Sequence, residues 1–151
     1  MFKSGIVFVL LAVLLSGCIA PQSDTISDHT VTEADKQWVS NTTIEADRLS
    51  SYTSSIETAY HDQDYKALQN FSEAIIDLSD QAIQKSLNCT LSPGMQPAQR
   101  AWESSMKDLN MAGWNLSTYA NSNGESEKHY SLFKEYEYRS SNCLITYLKY
   151  R

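Results

Sequence analysis

Two pairs of residues have the types and the spacing to bind a metal ion. Glu57 and His61 are four residues apart, as are Glu125 and His129, so on a helix each pair would share one face. Carboxylate oxygens and imidazole nitrogens are ligands for zinc and iron. Di-iron helical bundles, however, use Glu-x-x-His motifs from the middle of a helix. We therefore interpret these four side chains as solvated groups beside the loops that connect helices. The alternative is a sensor or binding protein that holds a metal or small ligand at the end of the domain that carries His61 and His129.

Little else in the sequence supports catalysis. A nucleophilic serine or cysteine needs a positioned base. The chain has three histidines, and His29 lies in a polar segment before the first predicted helix. The GxSxG, P-loop and HExxH motifs do not occur in the sequence. We expect no enzymatic activity and no cofactor.

Cys18 carries the most specific chemical signal in the chain. It follows Lys3 and an apolar run, Ile6 to Leu15, that has about half of the ~20 residues needed to span a membrane. A positive start, a short apolar core and small residues are typical of a secretory signal. The segment Leu15–Cys18, with the sequence LSGC, resembles the lipobox of prokaryotic lipoproteins.

That resemblance implies a cleaved signal and a lipid on the thiol of Cys18. A diacylglyceryl group, with chains such as palmitate, would supply two acyl chains, and stable anchoring needs two membrane signals. The expected location is the extracytoplasmic face of the cell membrane. We expect residues 1–17 to be the lipoprotein signal peptide, 18–31 a flexible tether and 32–151 a helical domain.

The charge balance limits the classes of partner. The chain has 12 Lys and Arg against 18 Asp and Glu, a net charge of −6, and the basic residues form no cluster. Because phosphate contacts need Lys and Arg, nucleic acid is excluded as an expected partner. The expected partners are the membrane, through the lipid on Cys18, and an envelope protein of unknown identity.

Apolar residues recur at helical spacing beyond residue 31, which predicts an all-α fold. We expect four helices in an up-down-up-down antiparallel bundle, or three helices plus an extension. The first two cover about 32–60 and 64–88, and a break at 61–63 separates them because their apolar stripes are out of phase. Pro97 suits the first turn of the third helix, and the NSNG segment, 121–124, ends it. The fourth contains Phe133 to Tyr150.

Local signals also predict helix caps and a core. The expected caps are Thr30 with Glu33 for the first helix, Asp62 for the second and Ser122 with Glu125 for the fourth. The apolar stripes predict a core that includes Trp38, Leu49, Tyr52, Ile56, Tyr60, Leu68, Phe71, Ile75, Leu78, Ala82, Trp102, Met106, Leu109, Gly113, Leu116, Ala120, Phe133, Tyr136, Ser140, Cys143, Tyr147 and Tyr150.

Cys89 and Cys143 are the cysteines that remain beside Cys18. An even number in an exported chain favours a disulfide, and two free thiols are the alternative. In a square bundle the second and fourth helices are diagonal, too far apart for the Cα separation of about 5.5 Å that a disulfide needs. A disulfide therefore requires Cys89 to reach across from its loop, or a bundle that is not square.

Four sequons begin at Asn41, Asn70, Asn88 and Asn115. In an exported archaeal protein they would be acceptors for glycans, whereas in most bacteria they would be silent.

Four apolar side chains fall outside the predicted core. Met111 and Trp114 are on the back of the third helix, and Tyr138 and Ile145 are on the back of the fourth. Exposed aromatic surface can mark a site for a protein partner, although single exposed apolar residues are also normal. We name these four residues the back patch.

Residues Cys89 to Leu116 resemble small helical lipoproteins of archaea, especially methanogens. In those proteins a Ser-Pro loop leads into a helix that ends in an Ala-Gly pair, here Ala112 and Gly113. The proteins are mostly of unknown function, so the resemblance assigns no site. The sequence predicts a lipid-anchored, extracytoplasmic helical protein of the cell envelope that is a binding or structural module.

Overall fold

The computed structural model describes residues 31–148, which form four α-helices and no strand. These are α1 (Glu33–His61), α2 (Tyr65–Leu87), α3 (Gln96–Asn121) and α4 (Glu127–Leu148). The prediction of an all-α fold with four helices is confirmed. The predicted signal peptide, Cys18, Thr30 and Tyr150 lie outside the described residues.

Each helix runs opposite to the one before it. Along every neighbouring pair, the residue number rises on one helix as it falls on the other. For α1 and α2 these pairs are Glu45 with Lys85 and Tyr52 with Phe71. For α2 and α3 they are Ser86 with Glu103 and Ser79 with Asn110. For α3 and α4 they are Ser105 with Ser140 and Asn115 with His129. The helices therefore form the up-down-up-down arrangement that the short connections predict.

The first helix stands apart from the last. Of the other three helices, only α2 brings Cα atoms within 8 Å of α1. Long side chains make the contact between α1 and α4, as in the stacked rings of Tyr60 and Tyr130, whose centroids are 3.8 Å apart. Because side chains bridge this gap, α1 is the least closely packed wall of the bundle.

The cap of α1 lies two residues later than the sequence predicts. The hydroxyl of Thr32, not Thr30, accepts a hydrogen bond from the Asp35 backbone N–H at 3.1 Å. The Thr32 N–H in turn donates to the Asp35 carboxylate at 2.8 Å. Asp35 also accepts from the Ser92 N–H at 3.0 Å, so this capping box ties the start of α1 to the α2–α3 loop.

The predicted break between the first two helices is confirmed, but Asp62 does not cap α2. Asp62 is the C-cap of α1, and the Asp64 carboxylate accepts from the Ala67 N–H at 2.9 Å. Gln63 between them has a φ of 54°. This left-handed residue turns the chain, so the cap of α2 is Asp64, two residues after the predicted Asp62.

The start of α4 also differs from the prediction. The hydroxyl of Ser122 accepts from the Ser126 N–H at 3.2 Å, but α4 begins only at Glu127. Asn123 and Gly124, with φ of 49° and 80°, reverse the chain first. Pro97, by contrast, lies in the first turn of α3 as predicted.

The predicted core is confirmed for most of its members. Five of them are only partly buried: Tyr52, Tyr60, Phe71, Tyr136 and Cys143. The other predicted core residues in the described part of the chain are buried. At Gly113, an added Cβ would lie 2.7 Å from Ile76 Cγ1 and 3.2 Å from the Ser72 carbonyl oxygen. The absence of a side chain there lets α3 approach α2 closely.

Candidate functional site

A cavity of about 300 Å³ lies between α1, α2 and α3. Trp38, Thr42 and Glu45 of α1 line it, together with Ala82 of α2 and Trp102 of α3. Its wall is mostly apolar, as in small-molecule sites, which lie at about 300 Å³ and above. We call it the indole cavity after its two tryptophans.

Both tryptophans of the indole cavity have an unused hydrogen-bond donor. Trp38 is 4% exposed and Trp102 is fully buried. Within the described part of the chain, neither Nε1–H has an acceptor. A buried donor without a partner costs about 1–3 kcal/mol, and native structures contain few of them. The two donors are therefore buried behind the cavity wall, and no group in the described part of the chain accepts a hydrogen bond from them.

Tyr147 of α4 holds the two tryptophans in place. Its ring centroid lies 5.7 Å from that of Trp38 in an edge contact and 5.5 Å from that of Trp102. The Tyr147 hydroxyl lies 2.8 Å from the Thr42 hydroxyl, a buried hydrogen bond between α4 and α1. Aromatic rings in such contacts pack at fixed angles, so the indoles are oriented by this third ring.

The charges at the indole cavity balance one another. The Glu45 side chain is 7% exposed, and its carboxylate lies 2.8 Å from the Lys85 ammonium group, whose side chain is 61% exposed. Lys85 therefore reaches in from the surface to neutralise a buried carboxylate. Among the residues that line the cavity, these are the charged ones, so the site favours an uncharged occupant.

The four residues of the alternative metal site do not assemble into one site. Glu57 pairs with Lys134 at 3.7 Å, and His129 Nδ1 lies 2.9 Å from the Asn115 side-chain oxygen. His61 and Glu125 are exposed. Between residues 31 and 148, no three His, Cys, Asp or Glu side chains form a group that could hold a metal ion.

A cluster of tyrosines occupies this same end of the bundle. Tyr60 stacks on Tyr130, and Tyr119 packs against both rings. Burial, with the charge of Glu127 second, raises the pKa of Tyr119 to about 12. Burial also raises the pKa of Tyr130, assisted by Tyr60 and Glu137. Both phenols stay protonated near neutral pH, where they act as packing groups.

The expected disulfide between Cys89 and Cys143 is not formed, and both thiols are free. The Cys89 carbonyl accepts from the Gln99 side chain at 3.2 Å, whereas the Cys143 thiol lies 3.6 Å from the Ser104 hydroxyl. Gln99 and Ser104 are five residues apart on α3, about 140° around its axis. The two cysteines therefore contact α3 on different sides of its axis, and Cys89 does not reach across to Cys143.

The predicted glycan acceptors differ in exposure. Asn41, Asn70 and Asn88 are exposed, but Asn115 is buried. The Asn115 amide nitrogen donates to the Met111 carbonyl at 2.8 Å, and its oxygen contacts His129. In the folded domain the Asn115 side chain is therefore already engaged.

The members of the back patch are exposed as predicted. The exposed fractions are 45% for Met111, 57% for Trp114, 58% for Tyr138 and 47% for Ile145. The Asp108–Arg139 ion pair, 3.0 Å long, also links α3 to α4. The patch is therefore a set of exposed side chains beside a polar contact between the two helices.

The sequence identified the two tryptophans only as core residues. In the sequence, the residue that could have indicated the indole cavity is Glu45. It lies seven residues after Trp38 and three after Thr42, so it falls on the apolar stripe, where a charge is unexpected. Its partner Lys85 has no such signal, because the contact depends on how α2 packs against α1.

No family model matches this sequence, and comparisons with curated proteins and with solved structures give no match either. In the part of the chain that the structure describes, no helix has the length and apolar character to span a membrane.

Proposed function

We propose that this protein is a lipid-anchored, extracytoplasmic helical module of the cell envelope that binds a small molecule in the indole cavity and catalyses no reaction. The observation that carries the binding role is a mostly apolar cavity of about 300 Å³ that lies beside Trp38 and Trp102. Covering apolar surface of this kind with a ligand removes it from water, which is favourable.

The anchoring role rests on the sequence LSGC at Leu15–Cys18 and its resemblance to the lipobox. A tether of about a dozen residues would separate the lipid from α1, which begins at Glu33. Such a linker reaches at most about 3.5 Å per residue, so the domain would stay near the membrane surface. The exposed back patch would be available there to an envelope protein.

Replacing Cys18 with Ala tests the anchor. We expect the wild-type chain to fractionate with membranes and to have the intact mass of a chain that starts at a diacylglyceryl cysteine. The variant should lose that mass and leave the membrane fraction. An unchanged membrane fraction would show that the lipid on Cys18 is not the anchor.

Filling the indole cavity tests the binding role. Ala82, 1% exposed, lines the cavity, and a leucine there would occupy part of its volume. Gln81→Leu adds the same side chain one residue away on the exposed side of α2. A small-molecule extract of the source cells should raise the Tm of the wild type and of Gln81→Leu, but not that of Ala82→Leu. Equal shifts in all three proteins would place binding elsewhere, and the absence of any shift would contradict the proposal.

A further inference from the structure

We infer that α1 opens as a separate unit: it leaves the other three helices and unfolds while α2, α3 and α4 stay packed. Because Trp38, Thr42 and Glu45 of α1 line the indole cavity, this opening removes one wall of the cavity. The inference concerns the fold itself and does not depend on the proposed binding role. Three properties of α1 lead to it: its distance from its neighbours, the polarity of its buried face and its weak tendency to form a helix alone.

The packing of α1 is looser than that of the other helices. Its Cα atoms come within 8 Å of α2 alone, whereas α3 approaches both α2 and α4 this closely. Against α4, α1 is held by the ends of long side chains, as in the Tyr60–Tyr130 stack at 3.8 Å and the Glu57–Lys134 pair at 3.7 Å. Dispersion attraction falls steeply with distance, so α1 gains less from packing than α3 does.

The buried face of α1 is also more polar than that of α3. α1 buries seven of its 29 residues, and three of the seven, Asp35, Thr42 and Glu45, are polar or charged. α3 buries eleven of its 26 residues, of which Ser105 and Asn115 are polar. A polar group gains little from burial, since water offers it similar hydrogen bonds. The interface of α1 therefore provides less hydrophobic stabilisation than that of α3.

One buried donor on α1 favours the open state. Trp38 is 4% exposed, and its Nε1–H has no acceptor in the described part of the chain. A buried donor without a partner is less stable than one that is hydrogen-bonded to water. When α1 moves away from the other helices, the indole of Trp38 reaches solvent and this penalty disappears. The closed bundle alone bears it.

Once separated from the other helices, α1 has little tendency to stay helical. Nine of its 29 residues are Ser or Thr. These are weaker helix formers than Ala, Leu or Lys, in part because their hydroxyls compete for backbone hydrogen bonds. Helices in water draw most of their stability from tertiary packing. The loss of packing therefore also exposes the backbone amides of α1 to solvent.

Hydrogen–deuterium exchange tests the inference, measured by NMR on the ¹⁵N-labelled full chain in lipid nanodiscs. We expect the slowest-exchanging amides of α1 and the indole N–H of Trp38 to show the same protection, because one opening exposes them all. The slowest amides of α2, α3 and α4 should be protected by about tenfold or more beyond that level. Trp114, which is 57% exposed, provides the indole reference that exchanges without any opening.

Two matched variants each remove one buried hydrogen bond between helices. Tyr147→Phe removes the bond of 2.8 Å to the Thr42 hydroxyl, which joins α4 to α1. Ser105→Ala removes the bond of 2.8 Å to the Ser140 hydroxyl, which joins α3 to α4. Tyr147→Phe should speed the exchange of α1 by about twofold to tenfold, the factor for one net hydrogen bond. Ser105→Ala should leave the exchange of α1 unchanged and speed that of the slowest amides of α3 and α4.

The opposite results would show that the bundle opens as one unit. A single level of protection across all four helices would overturn the inference, and so would equal acceleration of α1 by both variants. Stronger protection of the Trp38 indole than of the α1 amides would also contradict it. The wild-type result stands even if a variant does not fold. The exchange is measured without a ligand, so a negative result leaves the proposed binding role to its own test with Ala82→Leu.

Discussion

The hydroxyl oxygens of Thr42 and Tyr147 lie 2.8 Å apart in the buried interior, although the residues are 105 positions apart in the sequence. This hydrogen bond joins the first helix to the last. It also fixes the Tyr147 ring between Trp38 and Trp102, whose indoles define the cavity. Closure of the bundle and the geometry of the candidate site therefore depend on the same side chain.

Two substitutions at Tyr147 should distinguish the contribution of its hydroxyl to stability from the contribution of its ring. Tyr147→Phe removes one hydrogen bond, and Thr42 keeps its bond to the Trp38 carbonyl, so we expect a loss of about 0.5–1.5 kcal/mol in the free energy of unfolding. Tyr147→Ala removes a buried ring and should cost about 3–5 kcal/mol. Urea unfolding followed by circular dichroism measures both. Equal losses would mean that the ring contacts with the indoles contribute little.

Replacing Lys85 should destabilise the protein more than replacing its partner Glu45. Lys85→Gln leaves a carboxylate that is 7% exposed without its cation, whereas Glu45→Gln leaves an ammonium group that is free to move into solvent. We expect Lys85→Gln to lower the free energy of unfolding by about 1–3 kcal/mol and Glu45→Gln to cost less. The double variant should recover part of the Lys85→Gln loss in a double-mutant cycle. Additive losses would show that the two groups do not interact.

Asp35 should make the domain sensitive to acid. Burial raises its pKa, but hydrogen bonds from the Thr32 and Ser92 backbone and side chains outweigh burial and lower the pKa to about 2, from 3.8. A carboxyl with a lowered folded-state pKa stabilises the fold fully above its unfolded pKa and loses that effect as pH falls towards 2. We expect wild-type stability to decline between pH 5 and 2 more steeply than that of Asp35→Asn.

Above pH 5, Asp35→Asn itself should cost about 1–2 kcal/mol, because the capping box and the bond to the Ser92 loop weaken. Urea unfolding at several pH values gives both quantities. Asp77→Asn, at an exposed carboxylate on α2, controls for the loss of one negative charge. Parallel pH profiles for the wild type and Asp35→Asn would contradict the assignment of the acid response to Asp35.

The two thiols in the domain should react as free cysteines. Cys89 and Cys143 are both partly buried and unpaired. After unfolding in denaturant without reductant, iodoacetamide should add two groups to the domain, one at each cysteine, as seen by peptide mass spectrometry. A requirement for reductant, with a mass two units lower before it, would show that the disulfide forms.

The sequence predicts this fold well because the apolar stripes are local and regular. Leu68, Ile75 and Leu78 recur three and four residues apart and are buried together. Helix ends are less certain from sequence, since Glu33 and Asp35 both offer a carboxylate to a preceding threonine. Long-range packing selected Thr32 and Asp35, because Asp35 also reaches the Ser92 N–H.

The candidate site is less visible in the sequence. Trp38 and Trp102 lie on predicted stripes, but no local pattern shows whether their indole donors find an acceptor. Their contacts with Tyr147, and the contact of Tyr147 with Thr42, join distant parts of the sequence and are likewise not encoded locally. The predicted disulfide is wrong for a related reason: a count of cysteines does not include the position of α3 between Cys89 and Cys143.

Native mass spectrometry of the full chain, purified from the membranes of its own cells, tests the proposed binding role most directly. We predict one small molecule per folded chain, retained in Gln81→Leu and lost in Ala82→Leu. A folded wild-type chain whose mass is that of the lipidated polypeptide alone, with both variants identical to it, would contradict the proposal that the indole cavity is a binding site.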